Sequence, residues 1–196
     1  VYWNKISMFD MERIKKEIDW MSNRQIEYVT VCDSNWGMLK RDIDIIEYVI
    51  KNKKETGFPK FWDVTWAKTN SENIYKIAKM DQKAGSRLFK GVTFAMQTLN
   101  PDSQKASKRV NLKSNEALTY LSKYNNENIP TYSELIWPMP DETYDSLKQG
   151  IQTLIDMGQK SFLLVHPLVL TYNAMMGQQD YIDTYGLKWK EVPLDT

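Results

Sequence analysis

A single cysteine, Cys32, and a single histidine, His166, stand in 196 residues. One thiol cannot close a disulfide framework, and one thiol with one imidazole cannot build a cysteine- or histidine-rich metal centre within the chain. Neither sign of charge is in excess: 26 basic residues face 25 acidic ones, for a net charge of +1. That balance gives no electrostatic footprint for nucleic acid or an anionic membrane. No apolar run is long enough to span a bilayer. Paired carboxylates at motif spacing, a Gly-x-Ser-x-Gly nucleophile elbow and a Walker-type glycine loop are all missing. The first residues, Val1-Tyr2-Trp3-Asn4-Lys5, carry neither an initiator methionine nor the marks of a signal peptide. The expectation is the interior of a longer chain in a reducing, cytoplasmic setting.

What is present is a hydrophobic fraction of 42% with 12% aromatics, ample for the core of one ordinary domain. The organising stretch is residues 27–46. Tyr28-Val29-Thr30-Val31-Cys32 reads as a buried strand, which makes Cys32 a small core residue. It ends in Asp33-Ser34-Asn35, Trp36-Gly37 turns the chain, and a helix follows from Arg41 with Ile43, Ile46 and Ile50 in step. This is a βα unit, whose ligands sit at the C-terminal end of the strand. Asp33 and Asn35 fit a chain turn and a helix cap equally well.

The unit recurs. A first helix spans residues 10–21. Later strands are expected at 61–67, 88–96, 129–136 and 161–165, ending in Lys68-Thr69-Asn70, Gln97-Thr98, Trp137-Pro138 and His166-Pro167. Ser71, Ser114 and Asp141 are read as helix caps, and Gly57, Gly85 and Gly158 as stops. After Leu170 the chain reads as loop-rich. Five strands alternating with helices predict an α/β fold, either a doubly wound sheet or an incomplete parallel barrel.

Parallel strands bring their C-terminal tips to one face. That face would gather Asp33, Ser34, Asn35, Lys68, Asn70, Gln97, Thr98, Trp137 and His166, with Arg109 folding over the rim. The set holds donors and acceptors but no strong nucleophile. It suits a polar cofactor that carries the chemistry itself. His166 reads as a base or donor, or as a neutral imidazole bonded to backbone.

Several runs resemble radical S-adenosylmethionine (radical SAM) enzymes, in particular the class often fused to an N-terminal cobalamin-binding domain. They are Val31 to Gly37 with Arg41-Asp42, then Gly91 to Thr98 with Lys108-Arg109-Val110-Asn111, and Ser133 to Thr143. Trp66 to Asn70 and the stretch from Leu170 to Met176 also fit. The resemblance implies a partial (βα)6 barrel, of which residues 1–170 would hold strands two to six, with 171–196 a loop-rich extension. It implies that Asp33 and Asn35 face the methionyl amino group of SAM, and that Gln97 and Arg109 meet its ribose and carboxylate. Glu134 would lie near the ribose, and the backbone at Ile136 and Trp137 near the adenine. Thr98 stands where the family has serine, and Trp137 and Asp141 where it has glycine. Bulk at Trp137 would crowd the adenine.

The family holds a [4Fe–4S] cluster on a Cys-x3-Cys-x2-Cys loop that this sequence lacks. The resemblance therefore implies a fragment, whose intact parent would cleave SAM reductively to a 5′-deoxyadenosyl radical and would accommodate methyl transfer through cobalamin. The cluster would not be bound by this chain alone. The implied partners are a small-molecule substrate and the missing N-terminal segment, with no nucleic acid and no membrane. Self-association through the exposed edge of the strand at residues 28–32 is expected as well. The competing reading is a non-catalytic barrel that binds a small molecule or a protein.

Overall fold

The first four strands are shorter than the apolar runs that announce them, and the fifth runs two residues past its own. The structure is a computed structural model that describes residues 6–68, 71–108 and 114–191. In order, its elements are α1 (Met11–Asn23), β1 (Tyr28–Thr30), α2 (Arg41–Thr56), β2 (Phe61–Asp63), α3 (Ser71–Ala84), β3 (Val92–Gln97), α4 (Pro101–Ala106) and α5 (Ser114–Asn126). They continue with β4 (Thr131–Trp137), α6 (Tyr144–Asp156), β5 (Phe162–Pro167), a 3-10 turn (Met175–Gly177) and α7 (Gln179–Tyr185). The five expected strands are there, alternating with helices. They form two sheets, β1-β2 and β3-β4-β5, and no closed barrel among the described residues. The chain divides into two compact units, one of residues 1–93 and 119–131, the other of 94–118 and 132–196.

In the first unit β1 and β2 run parallel, Val29 opposite Trp62. Pairing resumes beyond them in an unequal way. Val31 N–H donates to the Asp63 carbonyl and Trp36 N–H to that of Thr65, both at 2.9 Å. One strand thus spends five residues where its neighbour spends two, and residues 32–35 are extruded from the sheet end. Cys32, expected in the core, is exposed for this reason. Trp36 and Trp62 are buried in edge contact, centroids 6.2 Å apart. Their indole N–H groups have no partner among the described residues, a cost that ring burial must offset.

The turn after the extrusion is closed by Asp42, not by Asp33 or Asn35. One Asp42 oxygen, Oδ2, accepts from Gly37 N–H at 2.9 Å and Leu39 N–H at 3.0 Å. Lys40, at the N-cap of α2, offers no side-chain cap, so Asp42 reaches back from the first turn. Burial pushes its carboxyl above the ordinary 3.8, helped by Asp33 and opposed by those two N–H donors. The folded protein then holds this proton more tightly than the unfolded chain. The associated stability is present below the unfolded value and is lost as pH rises through the folded one. Asp42→Asn keeps one oxygen for both donors and removes the titration. The variant should gain stability relative to wild type as pH rises from the ordinary carboxyl value through the raised one, read by urea denaturation at each pH. A difference that does not change with pH would refute this account.

Helix α1 starts on Asp10, whose carboxylate accepts from Glu12 N–H at 2.8 Å. Tyr48 O–H on α2 donates to Asp19 on α1 at 2.8 Å. Helix α2 stops at Gly57, at φ 85°. Ile45, Ile46, Val49, Ile74 and Ile77 fill the core of this unit; of the α2 stripe read from spacing, Ile46 is buried, while Ile43 and Ile50 are half-buried at its flanks.

In the second unit β4 and β5 run parallel, Ile136 opposite His166. Met96, Ala117, Leu135 and Leu154 form its core, flanked by Leu99, Leu147, Ile151, Met157 and Leu163. Ser133, buried beneath β4, donates to Gln159 at 2.9 Å. Helix α6 is capped by Thr143 in a capping box with Ser146, not by Asp141. Asp141 sits at φ 58°, two residues too early. The expected loop-rich tail contains α7, whose Tyr181 O–H donates to the Ala106 carbonyl at 3.0 Å. Seven residues show too little periodicity to announce a helix. No described helix is long and apolar enough to cross a membrane.

Candidate functional site

Alternation along the three-stranded sheet separates a covered face from an open one. Val92, Phe94 and Met96 on β3 and Thr131, Ser133 and Leu135 on β4 are buried, while the residues between them are half-exposed. Met96 and Leu135 meet in the core, so the opposite face carries Gln97 on β3 and Glu134 and Ile136 on β4. The β4-β5 register adds Leu164 and His166 to it. His166 Nε2 stands 3.9 Å from Glu134 Oε1, too far for a hydrogen bond and close enough for attraction once the imidazole is charged. This face gathers four of the predicted residues, Gln97, Glu134, Ile136 and His166, from three strands.

Gln97 is held in an unusual conformation. Its φ is 59°, and Thr98 N–H donates to the Met96 carbonyl at 2.7 Å. That pair closes a γ-turn around Gln97 in its rare positive-φ form, a state that costs on the order of 1–3 kcal/mol unless its surroundings enforce it. The Gln97 amide makes no hydrogen bond among the described residues.

Thr98 is turned away from the open face and buried. Its hydroxyl donates to Glu142 Oε2 at 2.6 Å and accepts from Asn100 N–H at 3.0 Å. Gln104 Nε2 donates to its carbonyl at 3.1 Å. Ser146 Oγ donates to the other Glu142 oxygen at 2.9 Å, and Asn100 Nδ2 donates to the Asp141 carbonyl at 2.9 Å. Sequence reading gave no role to Asn100, Glu142 or Ser146. The signals were Asn100-Pro101, an N-cap before a helix-starting proline, and Glu142 within the Ser133-to-Thr143 run that carries the resemblance. Trp137 alternates to the face opposite Ile136, and its carbonyl accepts from Leu168 N–H at 2.9 Å.

Asp33, Ser34, Asn35 and Lys68 belong to the first unit. Asn35 N–H donates to Asp33 Oδ1 at 2.8 Å, and Asn35 Nδ2 to Ser34 Oγ at 3.0 Å. Asp33 thus closes a turn on itself. Lys68 is exposed. Arg109, Thr69 and Asn70 lie outside the described residues, as does the side chain of Ser71.

An unpartnered amide, a carboxylate and an imidazole on one sheet face can bind hydroxyl, amine and ring-nitrogen groups of a polar ligand. They fit the sugar and base of a nucleoside. An iron–sulfur cluster does not fit. The lone thiol, Cys32, is exposed on an extruded loop, and no group of three or more His, Cys, Asp or Glu suited to a metal occurs among the described residues.

No family model matches the chain. Over 183 residues, 93% of its length, it is 32% identical to the 2-(S-pantetheinyl)-carbapenam-3-carboxylate methyltransferase of Streptantibioticus cattleyicolor, of which it covers 27%. Over 180 residues, 92% of its length, it is 32% identical to the cobalamin-dependent radical SAM methyltransferase TokK of Streptomyces tokunonensis, covering 26%. It therefore spans about a quarter of the length of these curated relatives. In structure it is similar to coproporphyrinogen III oxidase (HemN) from Escherichia coli, a radical SAM enzyme, with a TM-score of 0.64 at 13% identity. That match covers 89% of this chain and 40% of HemN, and is a likeness of fold.

Proposed function

We propose that this chain, a relative of cobalamin-dependent radical SAM methyltransferases, forms the SAM-binding part of an enzyme of that kind. The observation that carries the reading is 32% identity, over more than nine-tenths of the chain, to two methyltransferases, of which TokK is a cobalamin-dependent radical SAM enzyme. The open face of β3, β4 and β5 supports it, because its polar groups suit a nucleoside.

In this reading the Gln97 amide and the Glu134 carboxylate take the ribose hydroxyls. Backbone groups at Ile136 and Trp137 meet the adenine edge, and His166 adds a donor at the rim. Arg109 is the candidate for the methionyl carboxylate, which a guanidinium holds by two parallel bonds. When bound, SAM would supply a 5′-deoxyadenosyl radical on one-electron reduction by a cluster held outside this chain, and cobalamin would carry the methyl group. The residues of this chain contribute binding and orientation; thiolates for a cluster must come from elsewhere.

The test is calorimetric titration of SAM, with S-adenosylhomocysteine in parallel, into the wild type and Glu134→Ala. A hydrogen bond to a charged group is worth roughly 1.5–3 kcal/mol, so the variant should bind about tenfold more weakly or worse. Its stability should hardly change, since Glu134 stands on the open face. If neither compound binds the wild type, or if the variant binds unchanged, the SAM reading of this face fails.

A further inference from the structure

We propose that Thr98 and Glu142 are positioning residues that hold Gln97 in its γ-turn, aimed for the ligand of the open face. The inference rests on the SAM reading for the identity of that ligand, but not for the latch itself.

The argument starts from a mismatch. Gln97 ends a strand whose other residues are extended, yet it sits at φ 59°, where no glycine eases the backbone. Such a conformation persists only when neighbours over-determine it. Those neighbours are on Thr98. Its N–H is bonded to Met96, its carbonyl to Gln104, and its hydroxyl to both Glu142 and Asn100. Every polar atom of Thr98, the residue that follows Gln97, therefore has a partner. Glu142 is in turn held by Ser146, which also closes the capping box at the start of α6. Asn100 ties the same loop again through the Asp141 carbonyl. A chain of hydrogen bonds thus runs from a helix start through Glu142 and Thr98 to the one residue of the β3 tip whose amide is unused. Purely structural tethering would not need a strained residue at its end.

The experiment is a pair of double-mutant cycles in the full protein. Titrated with SAM, Gln97→Ala should weaken binding about fivefold, as loss of a neutral hydrogen bond does. Glu142→Ala should match it, and the double variant should bind no more weakly than either. Thr98→Ser should bind as wild type, and Thr98→Val as Glu142→Ala. The second cycle uses no ligand. Gln97→Gly should change the melting temperature more favourably in wild type than in Glu142→Ala, because only a held turn has strain for glycine to relieve. Additive effects in both cycles, or wild-type affinity in Thr98→Val, would overturn the proposal. Loss of all SAM binding with the thermal coupling intact would remove the SAM reading and leave the latch standing.

Discussion

Gly37→Ala is expected to destabilise the first unit by about 2–5 kcal/mol, through two costs that can be separated. Gly37 lies at φ 86°, and a Cβ there would meet Ile74 Cγ1 at 2.7 Å. The left-handed backbone costs an alanine roughly 1–2 kcal/mol. Pushing a buried Ile74 aside adds about 1–3 kcal/mol of overpacking. Gly57 supplies the control. It has nearly the same φ, 85°, with nothing within 4 Å of its Cβ position. Gly57→Ala should therefore show the backbone cost alone. Urea denaturation followed by tryptophan fluorescence reads both variants, since Trp36 precedes Gly37. Equal losses would mean that Ile74 yields freely and that packing does not hold this turn.

The second large effect is expected at Leu154→Ala. Leu154 is fully buried and meets Met96, Ala117 and Leu135 in the core of the second unit. Removing it leaves a cavity, at a cost of about 2–5 kcal/mol depending on how far its surroundings collapse. For a chain of this size each kcal/mol lowers the melting temperature by roughly 2–4 °C. Met96 and Leu135 are the chain neighbours of Gln97 and Glu134, so the loss falls on the strands that present the open face. Ile151→Val, at a half-buried neighbour of the same core, should cost no more than about 1.5 kcal/mol. A Leu154→Ala loss as small as that would place the weight of this core elsewhere.

Helices were legible where an apolar stripe ran for three turns or more between polar punctuation. Residues 41–56 are the clearest case, from the isoleucine spacing to Gly57. Strand identity was legible too, and strand ends were not. The apolar run through Cys32 gave no sign that pairing would lapse after Val31 and resume at Trp36, because that depends on which residues of β2 are opposite. Asp141 and Thr143 are both good caps by composition, and the positive φ of Asp141 decided between them. Gln97 and His166, named from strand tips, and Glu134 and Ile136, named from the resemblance, share one face because alternation is a local rule. Thr98, two residues after the buried Met96, falls on the covered face by the same rule, and its acceptor there, Glu142, lies 44 positions away. No pattern within a window of sequence carries that pairing.

The first unit leaves the chain at Thr93 and takes it up again at Thr119. Its returning segment brings Tyr124 against Tyr75, ring centroids 5.6 Å apart, the Glu127 partner of Lys79, and the Pro130 carbonyl that accepts from Val92 N–H at 2.9 Å. A nascent polypeptide emerging from the ribosome therefore cannot finish this unit when its first 93 residues are out. It must wait, with Tyr75 and Lys79 lacking these partners, while the opening of the second unit passes by. Ribosome-bound intermediates stopped between residues 94 and 118 should be the ones that proteases cut and holding chaperones retain.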